Sequence, residues 1–245
     1  MRLLGLDVET TGLDPKVDRI IELGFVVWET DTNSPLHLEN HILYDESYPE
    51  ISKEITALTG IDQAQLDGFG APPKDVLPRV QSMIKECGIE YVVAHNVEFD
   101  RSFLSHEWKR NKLERGTMAE VPWLDTLYDL PLISDPRSMH LGYLAADHGF
   151  LNPFAHRALF DVLTMLKVLS HYNIGEVIAL SKVPFIVVQG VVSFNEKDKA
   201  KDRGYKWGRV RNKDYPKMWV KRLPEADLAK EQEEAPFKVV PLWEK

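Results

Sequence analysis

The chain has 245 residues, with 38 acidic against 30 basic, a formal net charge of −8, 44% hydrophobic and 28% charged residues. That length holds one full domain with an appendage, or two small domains, and the apolar content is enough for a real core. The acidic balance excludes a simple polybasic binder but not nucleic acid, because net charge is blind to distribution. Cys87 is the one cysteine, which excludes an intrachain disulfide and a cysteine-built zinc site and suits a reducing compartment. The opening MRLLGLDVET meets Asp7 and Glu9 after a very short apolar run. It reads as neither a signal peptide nor a membrane span, so a cytoplasmic protein without membrane contact is expected.

In chain order, residues 2–8 read as a buried strand, followed by a turn over 10–18 rich in Gly, Pro and Asp. Residues 20–29 and 36–44 read as two more strands, making a β-meander. Helices are expected at 52–59 and at 73–87, the second with a Pro-Pro start and a Cys-Gly end. YVVAH (91–95) is a short apolar strand, and Asn96 reads as the N-cap of a helix running to about residue 111. A strand at 121–126 and helices at about 139–148, 156–171 and 174–181 complete the first 181 residues. The pattern predicts an α/β fold with a mixed sheet. Beyond Pro184 the texture changes: a strand at 185–194, a short helix at 196–204 and a strand at 217–223 read as a small α+β unit over 184–223. Residues 224–245 read as a tail, acidic first and apolar at its end (237–243); that end is a partner-binding peptide or, the plainer reading, packs back on the domain.

Three clusters carry chemistry. Asp7 and Glu9, spaced i and i+2, project from one face of the first strand at its C-terminal end. Two adjacent carboxylates repel, so one is protonated unless a cation sits between them. The second cluster is HNVEFD (95–100), with Asp100 one turn into a helix that follows a strand. The third is HRALFD (156–161), with His156 at the mouth of a helix and Asp161 five residues on. Each alone has an ordinary reading: a solvated strand end, a first-turn acid favoured by the helix dipole, a surface histidine.

Together and in order, DxETTG, HNxxFD and HRAxxD resemble the DnaQ-like 3′–5′ exonucleases of the DEDDh type. The resemblance covers roughly residues 1–180. Leu58-Thr59-Gly60-Ile61 is similar to a family segment at the substrate terminus, Trp123-Leu124-Asp125-Thr126 to the strand before the last helices, and 141–149 to the helix that follows. The resemblance implies an RNase H-like mixed sheet flanked by helices. It implies that Asp7, Glu9, Asp100 and Asp161 hold two divalent ions, Mg²⁺ with Mn²⁺ as a substitute, and that His156 is the general base. A hard cation prefers such oxygen ligands, and an imidazole with an ordinary pKa of about 6.5 suits a base. Nucleoside 5′-monophosphates would be released from the 3′ ends of DNA, single-stranded DNA before duplex. Thr10 and Thr11 stand where the family holds the terminal nucleotide, or are ordinary turn residues. Leu58 and Ile61 wedge against terminal bases or pack a helix end. His95, Asn96 and Phe99 complete the substrate-side set, with a satisfied buried His95, an N-cap Asn96 and a core Phe99 as the plainer readings. An RNA-trimming enzyme of the same family, or a non-catalytic polymerase-accessory protein, is the alternative.

Charge separates the two parts. Residues 1–181 carry 15 Lys and Arg against 28 Asp and Glu, a net −13, whereas residues 182–222 carry 12 against 4, a net +8. The basic segment also holds Tyr205, Trp207, Tyr215 and Trp219. Cations track phosphates and aromatic rings stack on bases; alternatively the aromatics are the core of a tiny domain. The segment around EKDKAKDRGYKW resembles, over about 30 residues, a small module of some plasmid primase-like proteins, which adds a DNA-processing association. The overall plan is similar to exodeoxyribonuclease X-like or proofreading exonucleases. Expected partners are a nucleic acid with a free 3′ end and a polymerase or other replication protein; the oligomeric state is left open.

Overall fold

The structure is a computed structural model that describes every residue except 115, 133–137, 209, 211–214 and 243–245. It forms two compact units, Met1–Ser181 and Lys182–Lys245.

The first unit is built on a five-stranded sheet. Its strands are β1 (Arg2–Thr10), β2 (Ile20–Glu29), β3 (Ser34–Ile42), β4 (Tyr91–Ala94) and β5 (Trp123–Asp125), in the order β3-β2-β1-β4-β5. The β1–β2 and β2–β3 pairs are antiparallel, while β1–β4 and β4–β5 are parallel, giving the mixed sheet expected of the sequence. The helices are α1 (Lys53–Thr59), α2 (Gln63–Phe69), α3 (Pro73–Cys87), α4 (Val97–Arg110), α5 (Leu141–Asp147), α6 (Ala158–Leu169) and α7 (Ile174–Ser181). Apolar side chains line both faces of the central strands, as a sheet covered on both sides requires. Leu4, Leu6 and Val8 join Val76, Leu77 and Val80 of α3 and Phe103, Leu104 and Trp108 of α4. On the other side Leu3 and Val26 join Val162, Met165 and Leu166 of α6.

Two glycines set how closely α6 lies on this second face. A Cβ at Gly5 would stand 2.7 Å from Leu166 Cδ1, and one at Gly24 would stand 2.4 Å from the backbone nitrogen of Leu159. At Gly5 the side chains of Leu166 and Val162 would have to give way, whereas at Gly24 the contact is with backbone, so a larger residue there would shift the start of α6. Asp7 is paired with Gly24 in the β1–β2 register, so the N-terminus of α6 arrives beside the carboxylates of β1.

Two local expectations need correction. The seven-residue α2 was not expected from its Asp67-Gly68 interior; Asp62 and Gln65 form a reciprocal capping box that starts it. Asn96 is not a side-chain N-cap. It adopts left-handed backbone (φ 87°) and makes no capping bond. Asp125 at the end of β5 performs that task, accepting the N–H groups of Asn96 at 2.9 Å and Val97 at 3.0 Å.

The second unit contains β6 (Phe185–Val191), α8 (Lys197–Asp202), β7 (Lys206–Gly208), β8 (Met218–Pro224), α9 (Leu228–Glu234) and β9 (Lys238–Leu242). Its sheet has the order β7-β8-β6-β9. The apolar end packs back on the unit, the plainer of its two readings, and does so as a strand rather than as a docked tail: β9 pairs antiparallel with β6 along Val187–Val191, and Val239 enters a core with Ile186, Val188, Ala200, Tyr205 and Leu223. Trp243, at the end of the predicted apolar run, lies outside the described residues. Glu231, nearly buried, receives hydrogen bonds from Arg203 at 3.0 Å and Lys221 at 3.2 Å. Burial alone would raise its pKa; these cations bring it below the usual glutamate value. The reading of the aromatics as core holds for Tyr205 but not for Trp207, which is 57% exposed.

Candidate active site

Strand alternation places Leu3, Gly5, Asp7 and Glu9 in one row of β1 facing α6. The apolar half of the row lies under the helix; the acidic half lies at the strand's C-terminal end. Asp100 is brought there by α4, and its Oδ1 accepts the N–H of Val8 at 3.1 Å. Asp161 comes from the first turn of α6 and is fixed by two donors, Asn152 Nδ2 at 2.6 Å and the N–H of His156 at 3.0 Å. His156 has left-handed backbone, φ 63°, uncommon for a residue other than glycine. That turn lets its own N–H bind Asp161 while its side chain stays solvent-exposed.

The four carboxylates crowd one another. Burial, then the charges of Asp100, Glu9 and Asp161, pushes Asp7 well above the usual carboxylate range. Burial followed by Asp161 and Glu22 pushes Glu9 up to about 8, with Arg157 opposing. Asp100, only 1% exposed, is pushed up by burial, against the Val8 hydrogen bond and with Asp125 adding to the rise. Asp161 is raised by burial against the hydrogen bonds that hold it. Like charges held together in a low-dielectric site disfavour ionisation, and a bound cation reverses this.

The donor set suits such a cation. Glu9, His156 and Asp161 each present a ligand atom, all within 4.8 Å of one another. Carboxylate oxygens without a thiolate are the choice of a hard divalent ion. The geometry brings His156 into this group, whereas the sequence pointed to it only as a base.

The substrate-side residues divide. The Thr10 hydroxyl donates to the Gly12 carbonyl at 2.6 Å, and the Thr11 hydroxyl bonds Asp18 and the N–H of Arg19, so both shape the turn. Leu58 is half-exposed, but Ile61 has no exposed surface and packs in the core, which removes it as a wedge against a base. Both ring nitrogens of His95 are engaged, by Thr126 and the Met139 carbonyl. Phe99 packs on Phe103 with ring centroids 4.8 Å apart, the core reading.

Glu22 was not singled out in the sequence, although a glutamate inside IIELGFVV is itself anomalous. It lies opposite Glu9 in the register and is fully buried. Arg157 binds it at 2.7 Å, the N–H of Ala158 at 2.9 Å and Asn40 at 2.8 Å. This anchor ties the start of α6, between His156 and Asp161, to β2. A second buried acid, Glu107, is held by Arg19 at 2.7 Å and Arg110 at 3.1 Å. Arg110 also binds the carbonyls of Asp18 and Pro15, fixing the turn beyond β1.

Comparisons with known proteins agree with this arrangement. Residues 4–169 match the RNase_T family, described as exonuclease. Over 198 residues the chain is 33% identical to the PolC-type DNA polymerase III of Thermotoga maritima, covering 80% of this chain but only 13% of the polymerase. It is 28% identical to ribonuclease T of Wigglesworthia glossinidia brevipalpis over 166 residues, 64% of this chain and 77% of that enzyme. The fold also matches the nuclease domain of 3′hExo, a DEDDh family member solved with rAMP, with TM-score 0.61, 21% identity, and 69% and 90% of the two chains covered. The likeness to 3′hExo shows a shared fold, and the match over residues 4–169 shows that the chain belongs to the RNase_T family of DnaQ-like 3′–5′ exonucleases.

Proposed function

We propose that the chain is a metal-dependent 3′–5′ exonuclease that shortens DNA from its 3′ end, single strands before duplex. The observation that carries this is the convergence of Asp7, Glu9, Asp100 and Asp161 from β1, α4 and α6, with His156 beside them. Asp7, Glu9, Asp100 and Asp161 would hold two divalent ions, Mg²⁺ or in its place Mn²⁺. When bound, such ions activate water and neutralise charge on the phosphate and the departing oxygen. His156, the exposed imidazole at the site, accepts the proton of the attacking water. Asn152 and the His156 N–H keep Asp161 in place, and the Glu22–Arg157 pair keeps the start of α6 in place. The products are nucleoside 5′-monophosphates.

The relationship to PolC-type DNA polymerases favours DNA, and with it a polymerase as partner; the relationship to ribonuclease T favours RNA as the second reading. Digestion of 3′-labelled single-stranded DNA, duplex DNA and RNA side by side, with Mg²⁺ and with chelator, tests both. Fastest loss of label from the DNA single strand is the expected result. No release from any strand in Mg²⁺ or Mn²⁺ rejects the activity, and faster release from RNA rejects the DNA assignment.

A further inference from the structure

The second unit carries an aromatic recess that the exonuclease chemistry does not use. Trp207 on β7 pairs directly with Trp219 on β8, their rings 5.5 Å apart and inclined at 59°. With Val192, Phe194 and Lys197 they line a cavity of about 400 Å³. Trp219 and Val192 back onto the core, whereas Trp207 and Phe194 are 57% and 79% exposed. The Lys197 ammonium stands 4.4 Å over the Phe194 ring. Exposed apolar rings gathered in one recess mark an interaction surface.

We propose that this recess is a single-stranded nucleic-acid site, in which a base stacks on Trp207 and the adjoining phosphates are drawn by the lysines around it. Three observations select that ligand. Lys197 lines the recess itself, and Lys217, just before β8, is exposed. The segment 182–222 is +8 in a chain of net −8, so charge complementarity favours a polyanion. Among the described residues the lining is aromatic and apolar apart from Lys197, which suits sequence-tolerant stacking rather than base readout. An apolar peptide would use the rings but not the charge. A duplex would use the charge but keep its bases out of reach.

The inference rests on the proposed function only in taking nucleic acid as the ligand. Its test is binding by the full chain in chelator, where nothing is cut. Fluorescent dT15, rU15, a 15-nucleotide abasic strand and a 15-bp duplex are titrated by anisotropy. Wild type should bind dT15 or rU15 more tightly than the abasic strand or the duplex. Trp207→Ala should weaken that binding about 5- to 150-fold, the range for loss of one stacked base, and erase the preference over the abasic strand. Phe194→Ala, a truncation at an exposed ring, should weaken it in the same direction, and Trp207→Phe should restore most of it. The dT15-to-rU15 ratio reports which sugar the site prefers. Unchanged dT15 and rU15 affinity in both alanine variants, or a wild-type preference for the duplex, overturns the site. A chain that cuts nothing yet binds dT15 through Trp207 loses the proposed activity and keeps this site. A chain that cuts normally while Trp207→Ala and Phe194→Ala bind like wild type does the reverse.

Discussion

Two kinds of buried or half-buried acid lie within the first unit. Glu22 and Glu107 are each fully buried and each met by arginine, so their charge is balanced inside the protein. Asp7, Glu9, Asp100 and Asp161 gather at one site; burial pushes all four upward, and repulsion from neighbouring carboxylates adds to the rise, at Asp161 from Glu22. The difference separates scaffold from site. A buried charge that the fold must keep is given a partner; a cluster left uncompensated is stable only when protons or a cation from solution complete it.

Substitutions should split along that line. Asp7→Ala and Asp161→Ala should abolish release of 3′ label in Mg²⁺ or Mn²⁺; substantial residual release by either variant would break the assignment of the open cluster to metal. His156→Ala should slow turnover by roughly 10²–10⁴ while leaving the carboxylates in place, and single-turnover rates at saturating substrate read this directly. Glu22→Gln should destabilise the fold by about 3 kcal/mol, since it strands Arg157 and weakens the tie to α6; a chemical melt with unchanged midpoint would sever the link drawn here between anchor and helix. Glu9→Gln should do the opposite to stability: the metal-free protein should melt higher at pH 8, because a repelling charge is removed, even as activity is lost.

The same contrast has a pH dependence with a definite sign. Glu9 is raised from the ordinary 4.5 to about 8, so between those values the folded state holds a proton that the unfolded state has released. The stabilising effect of that proton is fully present below pH 4.5 and disappears as pH rises through about 8. In chelator, melting temperature should therefore fall across this window through the Glu9 contribution, and saturating Mg²⁺ should flatten or reverse the slope. A chelated protein whose slope is the same with Glu9→Gln would show that the group does not govern it.

Much of this was legible in the sequence because it is local. The DxE spacing fixes a shared face on any strand, and HRAxxD fixes a helix start whatever surrounds it. The mixed sheet followed from three apolar runs before the alternating pattern. What escaped depends on pairing across long separations. Glu22 gains its meaning from Arg157, 135 positions away, and Asp125 caps a helix that begins 28 positions earlier in the chain. Ile61 looked available to a substrate until the fold buried it. In the second unit, 238–242 read as an apolar end packing back rather than as a strand, because a five-residue edge strand carries little periodicity, and only its pairing with β6 makes it part of the sheet.

The hydrogen atom that serves as the side chain of Gly24 has a consequence for rate as well as for packing. It acts as a spacer gauge: the gap between sheet and helix, and hence the distance from Asp7 to Asp161, is set at a point where no methyl group fits. Reaction geometry tolerates errors well below an ångström before rates collapse. A methyl group at this position, which touches neither substrate nor ion, would thus work as a permanent misalignment: a folded enzyme machined slightly out of true.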